Sequence, residues 1–161
     1  MTDAKQDLIL SWDDIHRASK ALARKLHSEG EWRGMIAITR GGLIPAGIIA
    51  RELGIRLIDT ISVHSYAGQD QQKELKILKQ PELEEGGKNW LVIDDLSDSG
   101  NTFRAVKELF PNAHYAALYS KPNGVDAVDT HIQDVGQNVW IHFPWDLSLQ
   151  YDVPIAGDHA A

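Results

Sequence analysis

The chain has 161 residues, with 16 Lys and Arg against 23 Asp and Glu for a net charge of −7, and no cysteine. Without cysteine there is no disulfide framework, thiol nucleophile or thiolate metal site. An apolar share of 43% suits a folded domain rather than a disordered chain, and the acidic balance argues against a general nucleic-acid binder, which needs a basic face.

The first element is a helix starting near Ser11, where Ser11 followed by Asp14 resembles a capping box with Asp in place of the usual Glu. Ile15, Ala18, Leu22 and Leu26 fall on one face of it, and Gly30 fits a left-handed stop. Residues 35–39 read as a short buried strand running into Arg40-Gly41-Gly42. Residues 43–53 read as a helix, with Pro45 tolerated in its first turn. Residues 57–63 alternate toward a second strand. The polar, Gln-rich stretch 65–73 has nothing to bury and reads as a mobile loop. A short strand at 75–78 and a turn region at 81–88 follow. Residues 90–93 are continuously apolar, as in a parallel strand covered on both faces, and end in Asp94-Asp95. A helix over 102–110 is closed by Pro111. Residues 113–119 form another buried strand ending at Ser120-Lys121-Pro122, and the tail holds shorter strands, notably 139–143.

Strands alternating with helices indicate an α/β domain whose parallel sheet carries helices on both faces. No linker or repeat divides the chain, so residues 1–161 read as a single domain. The amino terminus lacks the features of a signal peptide and no stretch is long and apolar enough to span a membrane, so the expected compartment is the cytoplasm. In parallel sheets, ligands sit beyond the carboxyl ends of the strands. Arg40-Gly41-Gly42, residues 94–102 and Lys121 all fall at such ends.

The segment VIDDLSDSGNT, residues 92–102, holds three carboxylates, Asp94, Asp95 and Asp98. The first two are adjacent on a strand and should point to opposite faces. Two separated acceptors suit a ribose diol, with one free to meet Mg2+. Asp98, Ser99, Gly100, Asn101 and Thr102 lead straight into a helix, where curled backbone N–H groups and the helix dipole favour a monophosphate. An ordinary cap needs only one such residue. The segment is neither a dinucleotide nor a nucleoside-triphosphatase loop.

Gly41 and Gly42 allow close backbone approach, and Arg40 offers a fork for phosphate oxygens, although a plain strand–helix turn explains them equally well. Lys121 either donates to a carbonyl or lies on a surface turn. Trp140 and Trp145 either stack on a flat heterocycle or pack in the core. The seven histidines match no compact metal pattern. Residues 122–161 contain no Lys or Arg and read as a solvated acidic surface.

The stretch IDDLSDSGNT, residues 93–102, resembles the phosphoribosyl-pyrophosphate motif of the type I phosphoribosyltransferases. The pieces WDDIHRASKALARKL, IAITRGGLIPAGIIARELGIR, KELKILK, VIDDLSDSGNT, YSKP and WIHFPWD, in that order, resemble the bacterial xanthine-guanine branch of that family over nearly the whole chain. The resemblance implies a central, mostly parallel sheet flanked by helices, a small hood drawn largely from residues 122–161, and a flexible loop containing Ser65 and Tyr66. It implies transfer of a 5-phosphoribosyl group from phosphoribosyl pyrophosphate to N9 of guanine or xanthine, less well hypoxanthine, in purine salvage.

The same resemblance implies roles residue by residue. Arg40, Gly41 and Lys73 bind pyrophosphate. Asp94 and Asp95 hold the ribose hydroxyls, with Asp95 on the Mg2+ side. Leu96, Ser97, Asp98, Ser99, Gly100, Asn101 and Thr102 line the phosphoribosyl site. Asp98 is catalytic and meets the base, Lys121 donates to its 6-oxo group, Trp140 stacks on it, and the Ile141 backbone reads its 2-position. A homotetramer is implied, with no nucleic-acid partner, no integral membrane contact, and at most peripheral association with a membrane face.

The chain departs from the family at Lys73, where relatives carry Arg, at Ser99 for Thr, at Asn101 for Gly and at His142 for Glu near the base. Asn tolerates positive φ, so the turn at Asn101 should survive. His142 removes a carboxylate that would bear on the choice among the three purines. A hypoxanthine-preferring enzyme is the nearest alternative. A non-catalytic nucleotide-binding regulator on the same fold is disfavoured by the three retained Asp residues and the charge of −7. A phosphoacceptor receiver domain is disfavoured because its Asp pair follows the first strand.

Overall fold

The computed structural model describes residues 6–67, 73–146 and 153–157. Strand β1 (Gln6–Ile9) precedes helix α1 (Trp12–Glu29), which begins as the capping box requires. Ser11 Oγ accepts the Asp14 N–H at 3.1 Å, and the Asp14 carboxylate accepts the Ser11 N–H at 2.8 Å. The helix buries Ile15, Leu22 and Leu26, while Ala18 packs at the edge of the same core. Its end differs from expectation. Gly30 is extended (φ 174), and the Trp32 indole N–H takes up the Leu26 carbonyl at 2.9 Å, so no left-handed residue is needed there.

Strand β2 (Gly34–Thr39), helix α2 (Leu43–Leu53) and strands β3 (Ile58–Ala67) and β4 (Lys73–Lys79) follow. The expected loop over 65–73 is corrected: Ser65, Tyr66 and Ala67 pair antiparallel with Leu75, Glu74 and Lys73. Two strands therefore run well into that stretch. Backbone pairing satisfies their polar groups without a buried face, which is why composition misleads here. The polar stretch between them lies outside the described residues.

Strand β5 (Trp90–Ser97), helix α3 (Asn101–Leu109) and strands β6 (His114–Ser120), β7 (Thr130–Asp134) and β8 (Val139–His142) complete the order, with a 3-10 turn at Pro144–Asp146. Strand β5 continues through both acidic residues, so Asp94 and Asp95 belong to the sheet rather than to the loop after it.

The main sheet has the order β4-β3-β2-β5-β6-β7, parallel except for the β3–β4 pair. Period-2 alternation splits its core into two layers. Met35, Ala37, Leu91, Ile93, Ala116 and Leu118 face α1 and α2, whereas Ile36, Ile38, Val92, Tyr115 and Ala117 face α3. Helices therefore lie on both faces, as the sequence predicts. Strand β7 joins this sheet, while β8 leaves it to pair parallel with β1 in a small second sheet. Leu8 and Ile141 turn onto the core, and Ile9 and Trp140 point to the other face. Among the described residues no helix is long and apolar enough to cross a membrane.

Candidate functional site

Strand β2 has β3 on one side and β5 on the other, so the chain leaves it in both directions. Such a reversal of strand order opens a crevice at the carboxyl ends. Pairing of β2 with β5 stops at Ala37↔Ile93, and β5 runs on beside β6 alone as far as Ser97↔Ser120. The crevice is walled by residues 39–42 on one side and 94–102 on the other.

Gly41 abuts this wall so closely that a Cβ there would run into the Asp95 carboxylate. Arg40 is exposed beside it, and the Thr39–Arg40 peptide is cis. Asp94 Oδ1 accepts the Asp95 N–H at 2.8 Å. Burial, followed by the charge of Asp95, holds the Asp94 carboxyl well above its ordinary range. Burial also raises Asp95, against a lowering hydrogen bond from Asp94. The nearby charge of Asp146 raises Asp95 as well. Asp146 is itself raised by burial, opposed by the positive charge of Arg40 and by His142. The 3-10 turn after β8 thus brings a third carboxylate toward Asp95 and Arg40.

Beyond β5 the chain turns into α3 through Gly100, whose φ of 81 is left-handed and strained for any residue with a side chain. This corrects the expectation for Asn101: the positive φ belongs to Gly100, and Asn101 is the first helical residue. The Ser97 hydroxyl donates to the Gly124 carbonyl at 2.7 Å, so its side chain is committed to structure. Leu96 is partly buried against the α1–α2 layer. The cup formed by Ser99, Gly100, Asn101 and Thr102 is braced by Arg104, which donates to the Ser99 carbonyl at 2.8 Å and to Asp126 Oδ1 at 2.6 Å.

Lys121 leaves the end of β6 almost wholly buried and donates to Asp98 Oδ2 at 3.1 Å. Gln137 donates to the other oxygen, Asp98 Oδ1, at 2.9 Å. Trp140 is 60% exposed on one face of the small sheet, while Ile141 is buried on the opposite face. Trp145 stacks on Phe143 at 4.8 Å between centroids, which makes it a core residue rather than a ligand platform. His142 shares the face of Trp140, and its Nε2 lies 3.1 Å from Asp7 Oδ1 of β1. Ser65 and Tyr66 lie on β3 past its last pairing with β2 at Thr39↔Ser62, and the Tyr66 hydroxyl donates to Glu74 at 2.6 Å. Lys73 starts β4, but its side chain lies outside the described residues. No group of three metal-ligating side chains occurs among the described residues.

Arg40, Gly41, Asp94, Asp95, Asp98, the cup at 99–102 and Lys121 therefore gather at the carboxyl ends of the neighbouring parallel strands β2, β5 and β6. Sequence reading missed Arg104, Asp146 and Gln137. Asp146 stands inside the quoted WIHFPWD run, and Arg104 lies two residues past the motif. Gln137 sits in a turn with no periodicity and left no signal.

The phosphoribosyl transferase domain family matches residues 6–152. A xanthine-guanine phosphoribosyltransferase from Cereibacter sphaeroides is 51% identical over 154 residues, covering 92% of either chain. Among solved structures, the purine phosphoribosyltransferase of Pyrococcus horikoshii superposes with a TM-score of 0.76 at 29% identity, over 91% of this chain and 98% of that one. A Neisseria gonorrhoeae protein with bound ppGpp superposes with a TM-score of 0.74 at 33% identity, over 89% and 90%.

Proposed function

The chain belongs to the phosphoribosyl transferase family, as an enzyme of purine salvage of the xanthine-guanine type, and from that premise we propose how its residues divide the reaction. N9 of a 6-oxopurine attacks C1′ of phosphoribosyl pyrophosphate while the bond from C1′ to the pyrophosphate oxygen breaks. The proton displaced from the purine passes to Asp98. The observation that carries this reading is the convergence of Asp98, held from both sides by Lys121 and Gln137, with the acidic pair and the phosphate cup.

Each residue meets a need of that chemistry. The cup at 99–102 and the start of α3 suit the 5′-phosphate, because the backbone N–H groups of a first helical turn and the helix dipole favour an anion. Asp94 and Asp95 accept from the ribose hydroxyls. Arg40 and the backbone at Gly41 hold pyrophosphate, with Lys73 assisting from β4 as a point charge rather than a fork. Lys121 donates to the purine 6-oxo group, Trp140 stacks on the ring, and the Ile141 backbone meets the 2-position. The β3–β4 arm carries Ser65 and Tyr66 past the end of β2, on the side where water must be kept from the activated sugar.

Asp95 and Asp146 fit Mg2+, since both offer oxygen donors and the charge of Asp146 bears unfavourably on Asp95, which a cation between them would relieve. When bound, Mg2+ neutralises the leaving pyrophosphate. We assign a homotetramer on family grounds; a sedimentation mass near that of the monomer refutes it.

Initial rates with guanine, xanthine, hypoxanthine and adenine, with and without Mg2+, test the reading. Nucleotide should form from the 6-oxopurines in the presence of Mg2+ and not from adenine, whose 6-amino group presents donors to the Lys121 ammonium. Adenine used as well as guanine, or no product from any base, would overturn it. The ppGpp held by the Neisseria protein supports a second occupant of the crevice, a guanosine nucleotide carrying pyrophosphate. Inhibition competitive with phosphoribosyl pyrophosphate is the expected sign of it.

A further inference from the structure

Gln137 lies in the turn between β7 and β8, three residues before Trp140. Its amide is used at both ends. Oε1 accepts the backbone N–H of Asn123 at 2.9 Å, and Nε2 donates to Asp98 Oδ1 at 2.9 Å. The two contacts settle the orientation of the amide. A backbone N–H can only donate, so the oxygen must face Asn123, which leaves the nitrogen for Asp98.

The other Asp98 oxygen, Oδ2, is held by Lys121 Nζ at 3.1 Å. The turn that supplies both Lys121 and Asn123 is itself pinned to β5. Lys121 N–H donates to the Ser97 carbonyl at 2.9 Å, and the Ser97 hydroxyl donates to the Gly124 carbonyl at 2.7 Å. The Asp98 carboxylate is 53% exposed and lies in a bend of small residues, where its χ angles would otherwise be free. Lys121 constrains one oxygen, and a single contact to a flexible ammonium leaves the carboxylate plane free to rotate. A second contact from a different direction fixes that plane.

We propose that Gln137 is a positioning residue for purine transfer: it clamps Asp98 Oδ1 to the 121–124 turn and so fixes the carboxylate plane that meets the base. The proposal rests on the assignment of Asp98 to the purine. It makes the turn before Trp140 part of the reaction geometry, so that the stacking platform and the base-side carboxylate are aligned by one short segment. Small misplacement of such a group is costly to the chemical step and leaves phosphate binding untouched.

Gln137→Glu separates positioning from structure. It keeps the side-chain length and an oxygen for the Asn123 N–H, but replaces the donor facing Asp98 with a like charge. The expected result is a fall in kcat with guanine of about tenfold or more, KM for phosphoribosyl pyrophosphate within about twofold, and little change in Tm. Gln137→Met removes both contacts without adding charge and should show the same split between kcat and KM. In an Asp98→Asn background the penalty of Gln137→Glu should vanish, because the repelling carboxylate is gone. A normal kcat in either single variant, or an undiminished penalty in that background, overturns the role. An active wild type with unaffected variants overturns the role of Gln137 alone, whereas a wild type that converts no purine overturns the functional reading with it.

Discussion

Lys121 places its ammonium 3.1 Å from Asp98 Oδ2 while its own side chain is only 6% exposed. A buried ammonium requires a partner, and the carboxylate it finds is the one at the mouth of the crevice. On the proposed reading, that contact places the lysine beside the purine. Lys121→Met should lower kcat/KM for guanine roughly 10- to 100-fold, corresponding to the ~1.5–3 kcal/mol of a hydrogen bond to a charged group. The affinity for phosphoribosyl pyrophosphate should change little. Steady-state kinetics on both substrates make the check, and an unaltered purine term detaches Lys121 from the base.

Gly41 has no room for a side chain, because a Cβ there would clash with the Asp95 carboxylate. Gly41→Ala should displace that carboxylate by about 1 Å and cost about 100-fold in the use of phosphoribosyl pyrophosphate. The core is not touched, so far-ultraviolet circular dichroism should match the wild type. An alanine variant with normal turnover would show that the close approach carries no function.

Trp140 is exposed, so removing its indole should hardly disturb folding. Trp140→Ala should alter stability by no more than about 0.5 kcal/mol. The loss of stacking, about 1–3 kcal/mol per base, should appear as a raised KM for every purine accepted. Calorimetry and base kinetics together distinguish this from a core role, which would reverse the pattern.

Asp14 is held below the ordinary carboxylate range, first by hydrogen bonds from the Ser11 backbone and hydroxyl and then by Arg17. A carboxyl lowered on folding adds stability above its unfolded pKa of ~3.9, and that stability drains away as pH falls through the folded value. Asp94 and Asp95 are raised and act with the opposite sign, stabilising less as pH climbs above the usual carboxylate range. The difference in Tm between wild type and Asp14→Ala isolates the first effect. It should be largest near neutral pH and shrink below about pH 4. A difference that stays constant into acid would mean the capping box does not depend on the charge.

Local chemistry along the chain was enough for much of this. The Ser11–Asp14 box, the apolar face of Ile15, Leu22 and Leu26, and the uninterrupted run from Trp90 to Ile93 each encode an element within a few residues, because helix and strand periods are properties of neighbours. The bend at 98–102 was legible for the same reason: small and hydroxyl-bearing residues at a strand end favour a turn into a helix. Strand β1 escaped notice because its four residues are mostly exposed and follow no alternation, and its order comes from a partner 133 residues away, Gln6 beside Val139. The β3–β4 arm was hidden similarly, since backbone pairing orders a polar stretch that buries little.

The sequence by itself determined the layered α/β architecture, the acidic pair at a strand end and the small-residue bend that follows it, all of which depend on residues close together in the chain. Only the tertiary structure decided that Gln137 grips Asp98, that Asp146 approaches Asp95 and Arg40, and that Asp7 meets His142. These contacts join segments whose separation is set by strand order and register. No local period carries that information, because it arises when the sheet closes its core and brings distant turns to one edge.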